Sequence, residues 1–558
     1  MFKEFRDEAA VMIEKAGFSI DRGLFEEPPD QKLGDLAFPC FSLSKQEKKN
    51  PKEIAEKIAE KIEVPEDSVF QKAKPVGPYV NFFFDRKKLV KRVLEIISEQ
   101  KDKFGRGEKK KEKVMVEHSQ PNTHKAFHVG HLRNVCLGDS LVRILKFYGY
   151  PVFAANYIND TGAHVAKCLW AYLKYHKNRE PPSERGEWLG EIYSEASRKL
   201  EEKPELKEEV DGVLQKLESG DPEIKKLWEK TRKWSLDEFN RIYEQLGVEF
   251  DAWFYDNELL EGSKRIVEEL KKKGIADVDQ GAIVAKKEKT GLPTCIIQKS
   301  DVTTPYLTKD FELARRKFED YGINKSIYVV AAPQKLHFQQ LFKILELYGF
   351  EQARKCFHLP YELVMLKTGK MSSREGTVVL YSQLFETAKK KLLEEMDKRH
   401  GLSDEKIAEK ISTGALKYAM LNRENNKVIY FDWDEVLSFE GNSGPYLQYA
   451  LVRANKILEN SKEEPQFVSD SLDNIHEFEL AKKLVDFPMV VEKSACEYKP
   501  HLIANYAFEL TSLFSKFYEK CKVVGDKKEK ERMGLVWSFI RVTKNCLDLL
   551  GMEEVHSM

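Results

Sequence analysis

The chain reads as a multidomain α/β protein: a core on a parallel β-sheet, a small α+β domain before it, and an all-α helical bundle after it. Three observations predict this. Between residues 114 and 348, short apolar runs alternate with segments whose apolar residues recur at a 3.6 period, as in βαβ units. From about residue 405 the pattern changes to helices. The length, 558 residues, exceeds what one hydrophobic core organises, so three or more domains are expected. The boundaries fall at 1–105, 106–404 and 405–558, with a helical insertion at about 177–262 inside the middle domain.

Lys+Arg and Asp+Glu both number 92, so the net charge is zero; this argues against a polybasic nucleic-acid coat without excluding a local basic groove. The eight cysteines are scattered and form no CxxC pair, which points away from a structural zinc and from a disulfide framework. The N-terminus lacks the apolar core of a signal peptide, and no apolar run reaches membrane-spanning length. A reduced, soluble, cytoplasmic protein without membrane contact is expected.

In the first domain, Phe2, Phe5, Ala9, Met12 and Ile13 mark an amphipathic helix, and Ile54, Ile58 and Ile62 mark another. Residues 79–84 form a strand, introduced by the turn Pro75-Val-Gly-Pro78. Gly34-Asp-Leu-Ala-Phe38 is read as a loop. Residues 101–113, charged and glycine-containing, are read as a solvated linker, with contact to a polyanion as the alternative.

The middle domain opens with Val114, Met115 and Val116, a short buried strand, and continues at Leu132, Val135, Leu141, Ile144, Leu145 and Tyr148 as a helix. Residues 117–131 are therefore a strand-to-helix turn, where open parallel sheets bind ligands. The turn contains His128-Val-Gly-His131. Two imidazoles three residues apart on a first helical turn face the same way, free backbone N–H groups there favour an anion, and Gly130 lets a planar ligand approach the backbone. The set suits a phosphate gaining charge in a transition state. Two other readings stand beside it: surface histidines, and an HxxxHxxH metal pattern with His124. No cysteine adjoins that trio, and a glycine between the histidines suits a ligand plane better than a metal helix.

Residues 151–158 read as the next parallel strand, Asn159-Asp-Thr-Gly162 as a turn, and 282–285 and 294–297 as strands. Pro305 suits a first helical turn, after which Tyr306 and Asp310 share a helix face; a carboxylate beside a phenol suits a cationic side chain, a solvated helix charge being the alternative. Residues 327–331 are a buried strand ended by Pro333-Gln334, which puts Gln334 at a second crevice, with His337 opening the next helix. Residues 362–366 are a strand feeding Lys367-Thr-Gly-Lys-Met-Ser-Ser-Arg-Glu-Gly376, a basic Gly/Ser loop fit to close over a polyphosphate. In the last domain a Gly/aromatic loop, 431–446, leads into helices whose exposed aromatics and cations suit stacking of unpaired RNA bases, although most are expected in the bundle core.

His128-Val-Gly-His131 together with Lys370-Met-Ser-Ser-Arg374 resembles the HIGH and KMSKS motifs of class I aminoacyl-tRNA synthetases. The extended turn Ser119-Gln-Pro-Asn122 through His131-Leu-Arg-Asn134, Tyr306-xxx-Asp310, Gln334-xx-His337-Phe and Gly441-Asn-Ser-Gly-Pro-Tyr-Leu-Gln-Tyr449 are similar to the arginine-specific family. The resemblance spans essentially the whole chain. It implies a Rossmann-like catalytic core, an N-terminal domain that binds the tRNA elbow, and a C-terminal helical domain that binds the anticodon. By position it implies arginine contacts at Glu117, Gln120, Pro121, Asn122, His131, Tyr306, Asp310 and Gln334. ATP contacts are implied at Lys125, His128, Gly130, His131, Lys370, Met371, Ser372 and Arg374, with His128, His131 and Lys370 catalytic. The tRNA contacts implied are Phe431, Asp432, Trp433, Gly441, Asn442, Tyr446 and Tyr449. One departure is Ser373 where KMSKS has its second lysine; Arg374 follows, and its planar fork is not equivalent to an ammonium.

The expected reaction is attack of arginine's carboxylate on the α-phosphorus of ATP, then transfer of the arginyl group to the terminal adenosine of tRNA(Arg), at the 2′-OH as the class I resemblance implies. Neither step needs a protein nucleophile; positioning and charge stabilisation suffice. Mg²⁺ is expected to arrive with ATP, no protein metal site is expected, and a monomer is. Two rival readings are an HxGH nucleotidyl transferase acting on a small molecule, which has no need for a helical tRNA-binding domain, and a non-catalytic tRNA-binding paralogue. The family resemblance predicts ATP–pyrophosphate exchange with arginine alone, and only with tRNA present.

Overall fold

The structure is a computed structural model and describes residues 3–177, 179, 183–300, 306–366, 379–400, 404–469 and 471–556. The N-terminal part is an antiparallel sheet of β1 (Leu36–Pro39), β2 (Phe70–Val76) and β3 (Tyr79–Phe84), in the order β1-β3-β2, backed by helices that include Lys3–Lys15 and Pro51–Lys61. The stretch 34–38, read as a loop, thus contributes a strand paired with β3. Its Asp35 accepts the Phe84 N–H and pairs with Lys482 of the helical domain at 2.6 Å.

The central sheet holds β4 (Val114–Glu117), β5 (Val152–Ile158) and β6 (Ala252–Tyr255). A small antiparallel sheet of β7 (Asp277–Asp279), β8 (Ala282–Ala285) and β9 (Cys295–Gln298) follows, and β10 (Lys325–Ala331) and β11 (Cys356–Tyr361) complete the central sheet. Its five strands are all parallel, in the order β11-β10-β4-β5-β6. Val114, Met115 and Val116 are 0–2% exposed, as a central strand covered on both faces requires. The chain steps from β4 outward to β6 on one side and returns through β10 and β11 on the other. The switch point between β4 and β10 is where such sheets open a crevice at their carboxyl ends.

Several elements differ from the sequence reading. β6 lies inside the stretch read as a helical insertion, after helices Arg185–Glu202, Lys207–Glu218 and Pro222–Gln245. β11 has no counterpart among the strands expected from the sequence. The strand expected at 362–366 is β12 (Val364–Leu366); it lies outside the central sheet and pairs instead with β13 (Ile429–Phe431). The joint 101–113 is not a free linker. Phe104 is 2% exposed against Phe487, Lys110 sits 4.3 Å over the Tyr148 ring, and Asp102 pairs with Arg541 at 3.0 Å.

Three helices carry the site: α1 (Val129–Phe147), α2 (Tyr306–Tyr321) and α3 (Lys335–Tyr348). Fourteen of α1's 19 residues are buried, far more than a one-faced helix, because the C-terminal helices cover its other side. Ser140 donates to the Leu549 carbonyl at 2.7 Å, and Lys417, 1% exposed, lies beside Asp139 and donates to the Gly551 carbonyl. At its middle, Gly138 receives the His118 ring, and a Cβ there would stand 2.1 Å from His118 Cγ. Among the described residues no helix is long and apolar enough to cross a membrane.

Gly138→Ala is therefore expected to lower the urea-unfolding midpoint, by an overpacking cost of about 1–3 kcal/mol. Gly212→Ala, on helix Lys207–Glu218 with open space around it, is expected to stabilise by about 0.5–1 kcal/mol. Equal shifts for both would contradict the packing of α1.

Candidate active site

At the β4/β10 switch point the structure has a cavity of about 590 Å³. Four strand ends supply its floor: Glu117 at β4, Tyr157 and Asn159 at β5, Val330 and Ala331 at β10, and Tyr361 at β11. His128, Gly130 and His131 of α1 form one wall, and Tyr306, Asp310, Gln334 and His337 of α2 and α3 face them.

The turn after β4 is strained. Ser119, Gln120 and His124 all have positive φ, at 77°, 49° and 62°, which costs non-glycine residues about 1–3 kcal/mol each. Surrounding groups hold it. The Ser119 N–H donates to Asn134 Oδ1 at 2.6 Å, the Gln120 N–H to Asn156 Oδ1 at 3.2 Å, and the His124 N–H to Ser235 Oγ at 2.9 Å. His124, a member of the possible metal trio, turns into the core: it is 0% exposed and bonded to the hydroxyls of Thr123 and Thr231.

His128 and His131 form a reciprocal cap on α1. Nδ1 of His128 accepts the Gly130 N–H at 3.1 Å, and Nδ1 of His131 accepts the His128 N–H at 3.3 Å. The rings stack with centroids 3.8 Å apart. The Val129 N–H goes to the Val379 carbonyl at 3.1 Å. These three amides, which the sequence reading offered to an anion, are thus already paired, and the capacity to bind one moves to the imidazoles. A nitrogen that accepts carries no proton, so each ring holds its proton on Nε2. Burial, and then Lys125, push His128 down to about 4; burial, His128 and Lys125 push His131 well below its usual range. Both rings are neutral Nε2–H donors at neutral pH. Lys125 lines the same cavity, 4.9 Å from the Tyr193 ring, and among the described residues no carboxylate pairs with it.

The opposite wall is acidic. Asp310 Oδ2 lies 2.6 Å from His337 Nε2. Asn159 Nδ2 donates to Asn122 Oδ1 at 2.9 Å and to the Tyr306 hydroxyl at 3.0 Å, while its own Oδ1 is buried without a partner among the described residues. Glu117, expected as a ligand carboxylate, pairs with the fully buried Lys317 and accepts from Gln120 Nε2 at 2.7 Å, so it holds Gln120 in place. Behind them, buried Asp256 binds Lys309 and the Tyr157 hydroxyl.

The residues expected at the site divide clearly. Glu117, Gln120, Asn122, Lys125, His128, Gly130, His131, Tyr306, Asp310 and Gln334 line one cavity. Pro121 is buried and offers its carbonyl to the Asn159 N–H. Lys370, Met371, Ser372, Ser373 and Arg374 lie outside the described residues. The flanks of that segment reach the cavity: Val364 and Met365 line it, and Leu380 bridges to His128. Among the tRNA candidates, Phe431 is 3% exposed against Trp433, Asp432 caps a short helix, and Asn442 accepts from the Tyr418 hydroxyl. Gly441 is exposed at φ 101°, Tyr446 bonds Ser515 at 3.0 Å, and Tyr449 lies under Arg453. None of the seven lines the cavity. Pairing of β13 with β12 ties their segment to it.

Sequence reasoning assigned no role to Asn134, Asn159, His337 or Arg133. Asn134 follows His131 by one helical turn, and its Nδ2, with two hydrogens to share, lies 3.0–3.1 Å from Gln120 Oε1, the Val329 carbonyl and the Tyr361 hydroxyl; its position one turn on is a readable signal. Asn159 ends a strand at the crevice, which is another. Arg133, 2% exposed and held down to about 10 by burial, donates to the carbonyls of Leu363, Asn425 and Lys427, fastening α1 to the strands that frame the cavity.

Known proteins resemble the chain over its whole length. Residues 92–433 match the family model described as "tRNA synthetases class I (R), catalytic domain", residues 447–558 the "DALR anticodon binding domain", and residues 3–84 the "Arginyl tRNA synthetase N terminal domain". The arginine–tRNA ligase of Clostridium perfringens is 37% identical over 548 residues, 96% of each chain. That of Bdellovibrio bacteriovorus is 37% identical over 95% of this chain and 93% of its own. The Thermus thermophilus arginyl-tRNA synthetase structure superimposes with a TM-score of 0.84 at 26% identity over the full length of both chains. The Plasmodium falciparum one, at 22% identity and 0.79, shares the fold.

The buried histidines make stability depend on pH. His118, with neither ring nitrogen hydrogen-bonded among the described residues, is pushed down to about 4 by burial, and His124 to about 3. The unfolded chain takes up these protons near pH 6.5 and the folded chain does not, so stability falls as pH drops below 6.5, by up to about 1.4 kcal/mol per pH unit per ring. A melting-temperature series should be level above pH 7 and descend below 6.5, and His118→Leu should soften the descent. A level curve down to pH 5 would contradict neutral core histidines.

Proposed function

The chain belongs to the arginyl-tRNA synthetase family, and on that premise we propose which of its residues carry the reaction. It activates L-arginine with ATP to arginyl-adenylate and transfers the arginine to the 3′-terminal adenosine of tRNA(Arg). The observation that supports the residue assignment best is a single cavity with two neutral imidazole donors on one wall and Asp310 on the other. That is a phosphate-stabilising face opposite a guanidinium-accepting one.

Asp310 with Tyr306 takes the guanidinium, by charge-assisted hydrogen bonding. Asn122 and Gln334, with Asn159 adding a free acceptor, hold the ammonium and carboxylate. Glu117 acts through Gln120, and Pro121 through the strand-like pairing with Asn159. The Nε2–H groups of His128 and His131 donate to phosphate oxygens as charge grows there, Gly130 keeps the helix face open to the nucleotide, and Lys125 supplies a cation. Lys370, with Met371, Ser372 and Arg374, completes the phosphate contacts from a twelve-residue segment, 367–378, whose two flanks meet the cavity. The cavity carboxylates Glu117 and Asp310 are committed to Lys317 and His337 and make no carboxylate cage, so Mg²⁺ is assigned to the phosphates of ATP.

Residues 1–105 are assigned to the tRNA elbow and 405–558 to the anticodon, with the segment 431–449 contacting tRNA between them. Phe431, being buried, serves there by supporting Trp433. A cytoplasmic monomer is inferred with these assignments.

ATP–pyrophosphate exchange, run with each amino acid in the presence of tRNA, tests the reading. Exchange is expected with arginine alone. His131→Ala should lower kcat by about 10²–10³-fold, the cost of removing one transition-state donor. Asp310→Asn should raise KM for arginine about 100-fold or more while leaving KM for ATP within about twofold, because it leaves the site's other polar groups facing an unpaired guanidinium. Exchange with another amino acid, or an unaltered KM for arginine in Asp310→Asn, would overturn it.

A further inference from the structure

The acids around the cavity differ in what neutralises them. Glu117 is paired with the Lys317 ammonium and Asp256 with that of Lys309. Asp310 is paired with His337, the side chain whose charge changes nearest to neutrality. The contact is a built one. Asp310 lies on the first turns of α2 and His337 on the first turn of α3, and their side chains are 14% and 21% exposed at the cavity wall. Nε2 and Oδ2 stand 2.6 Å apart.

The other groups within electrostatic reach come from every neighbouring strand. Asp310 is near Tyr157 of β5 and Tyr328 of β10, both buried phenols driven further toward their neutral form, and each of those phenols also senses Glu117. His337 is near His358 of β11 and Lys335 of its own helix. His358 donates from Nε2 to the Val330 carbonyl at 2.9 Å, and burial lowers its affinity for a proton. Of these neighbours, Asp310 is the one that favours a charge on His337.

We propose that His337 is the positioning residue for Asp310 and that it makes arginine capture proton-linked. This rests on the assignment of Asp310 to the guanidinium. With His337 neutral, its Nε2–H holds Oδ2 and leaves Oδ1 for the substrate. With His337 protonated, the imidazolium already neutralises the carboxylate, and an incoming guanidinium meets a like charge. Arginine then binds only after the proton has left to solvent. As His337 takes up a proton, KM for arginine rises, while kcat, set at the other wall, does not follow.

The experiment is ATP–pyrophosphate exchange with tRNA present, measured from pH 5.5 to 8.5 for the full-length protein, His337→Gln, His337→Asn and Asp310→Asn, with melting temperatures confirming that each variant is folded. For the unaltered protein, KM for arginine is expected to rise at least tenfold from pH 7.5 to 5.5, with kcat changing less than about threefold. His337→Gln, whose amide can still donate to Oδ2, is expected to start about threefold higher at pH 8 and to stay level with pH. His337→Asn, too short to reach, should start higher still and also stay level. If both variants keep the slope of the unaltered protein, or if that protein shows no slope, the proposal is wrong. If Asp310→Asn leaves KM for arginine unchanged at pH 8, the guanidinium assignment beneath it is wrong. If Asp310→Asn raises KM while the His337 variants keep the slope, the proposal alone falls.

Discussion

The reciprocal cap between His128 and His131 is the constraint on which the site depends. Each ring uses Nδ1 to satisfy a backbone amide at the start of α1, and this one commitment fixes three properties together. It sets the tautomer, so Nε2 carries the hydrogen. It sets the ring planes, which stack at 3.8 Å. It also opposes a second proton on either ring, which would have to displace an amide, where burial and Lys125 already hold both rings neutral. A neutral donor stabilises developing negative charge without attracting a permanent counter-ion into the resting site.

The surrounding fold exists in part to hold that cap in register with the opposite wall. The turn that delivers it stores backbone strain at Ser119, Gln120 and His124, and strain persists only where neighbours over-determine it. Asn134 binds Ser119, Gln120, β10 and β11 at once, and the insertion contributes Ser235 and Thr231. Helix Arg185–Glu202 approaches so closely that a Cβ on Gly190 would meet the Ala126 backbone nitrogen at 2.6 Å. The helical domain presses α1 from behind through Leu549 and Lys417. Sheet, insertion and helical domain therefore bear on the same 20 or so residues, which explains why α1 is buried nearly all round.

Much of this was legible in the sequence, and the exceptions have physical reasons. β4 and α1 were readable because an apolar run and a 3.6 period survive even when the helix is buried on both sides. β11 was not: Cys-Phe-His-Leu-Pro-Tyr interrupts its apolar pattern with His358 and Pro360, and an edge strand tolerates a proline that a central one would not. β6, four residues long at the other edge, and β1, ending in Pro39, are too short to show a period. The joint 101–113 looked solvated because charge dominates its composition, whereas Phe104 and two closely packed glycines decide its conformation. At the site, several polar residues standing at strand ends announced themselves, Asn159 excepted. Lys317, Asn134 and His337 did not, since each acts through a partner chosen by the fold: Glu117 lies 200 positions from Lys317 and Asp310 27 from His337.

The most direct test of the account is ring-nitrogen NMR of the protein labelled with ¹⁵N-histidine, with the signals of His128 and His131 assigned by their single replacement with Gln. The account predicts the Nε2–H tautomer for both rings, unchanged between pH 8 and pH 5.5. An Nδ1–H tautomer, or a protonation midpoint above pH 6 for either ring, would contradict it.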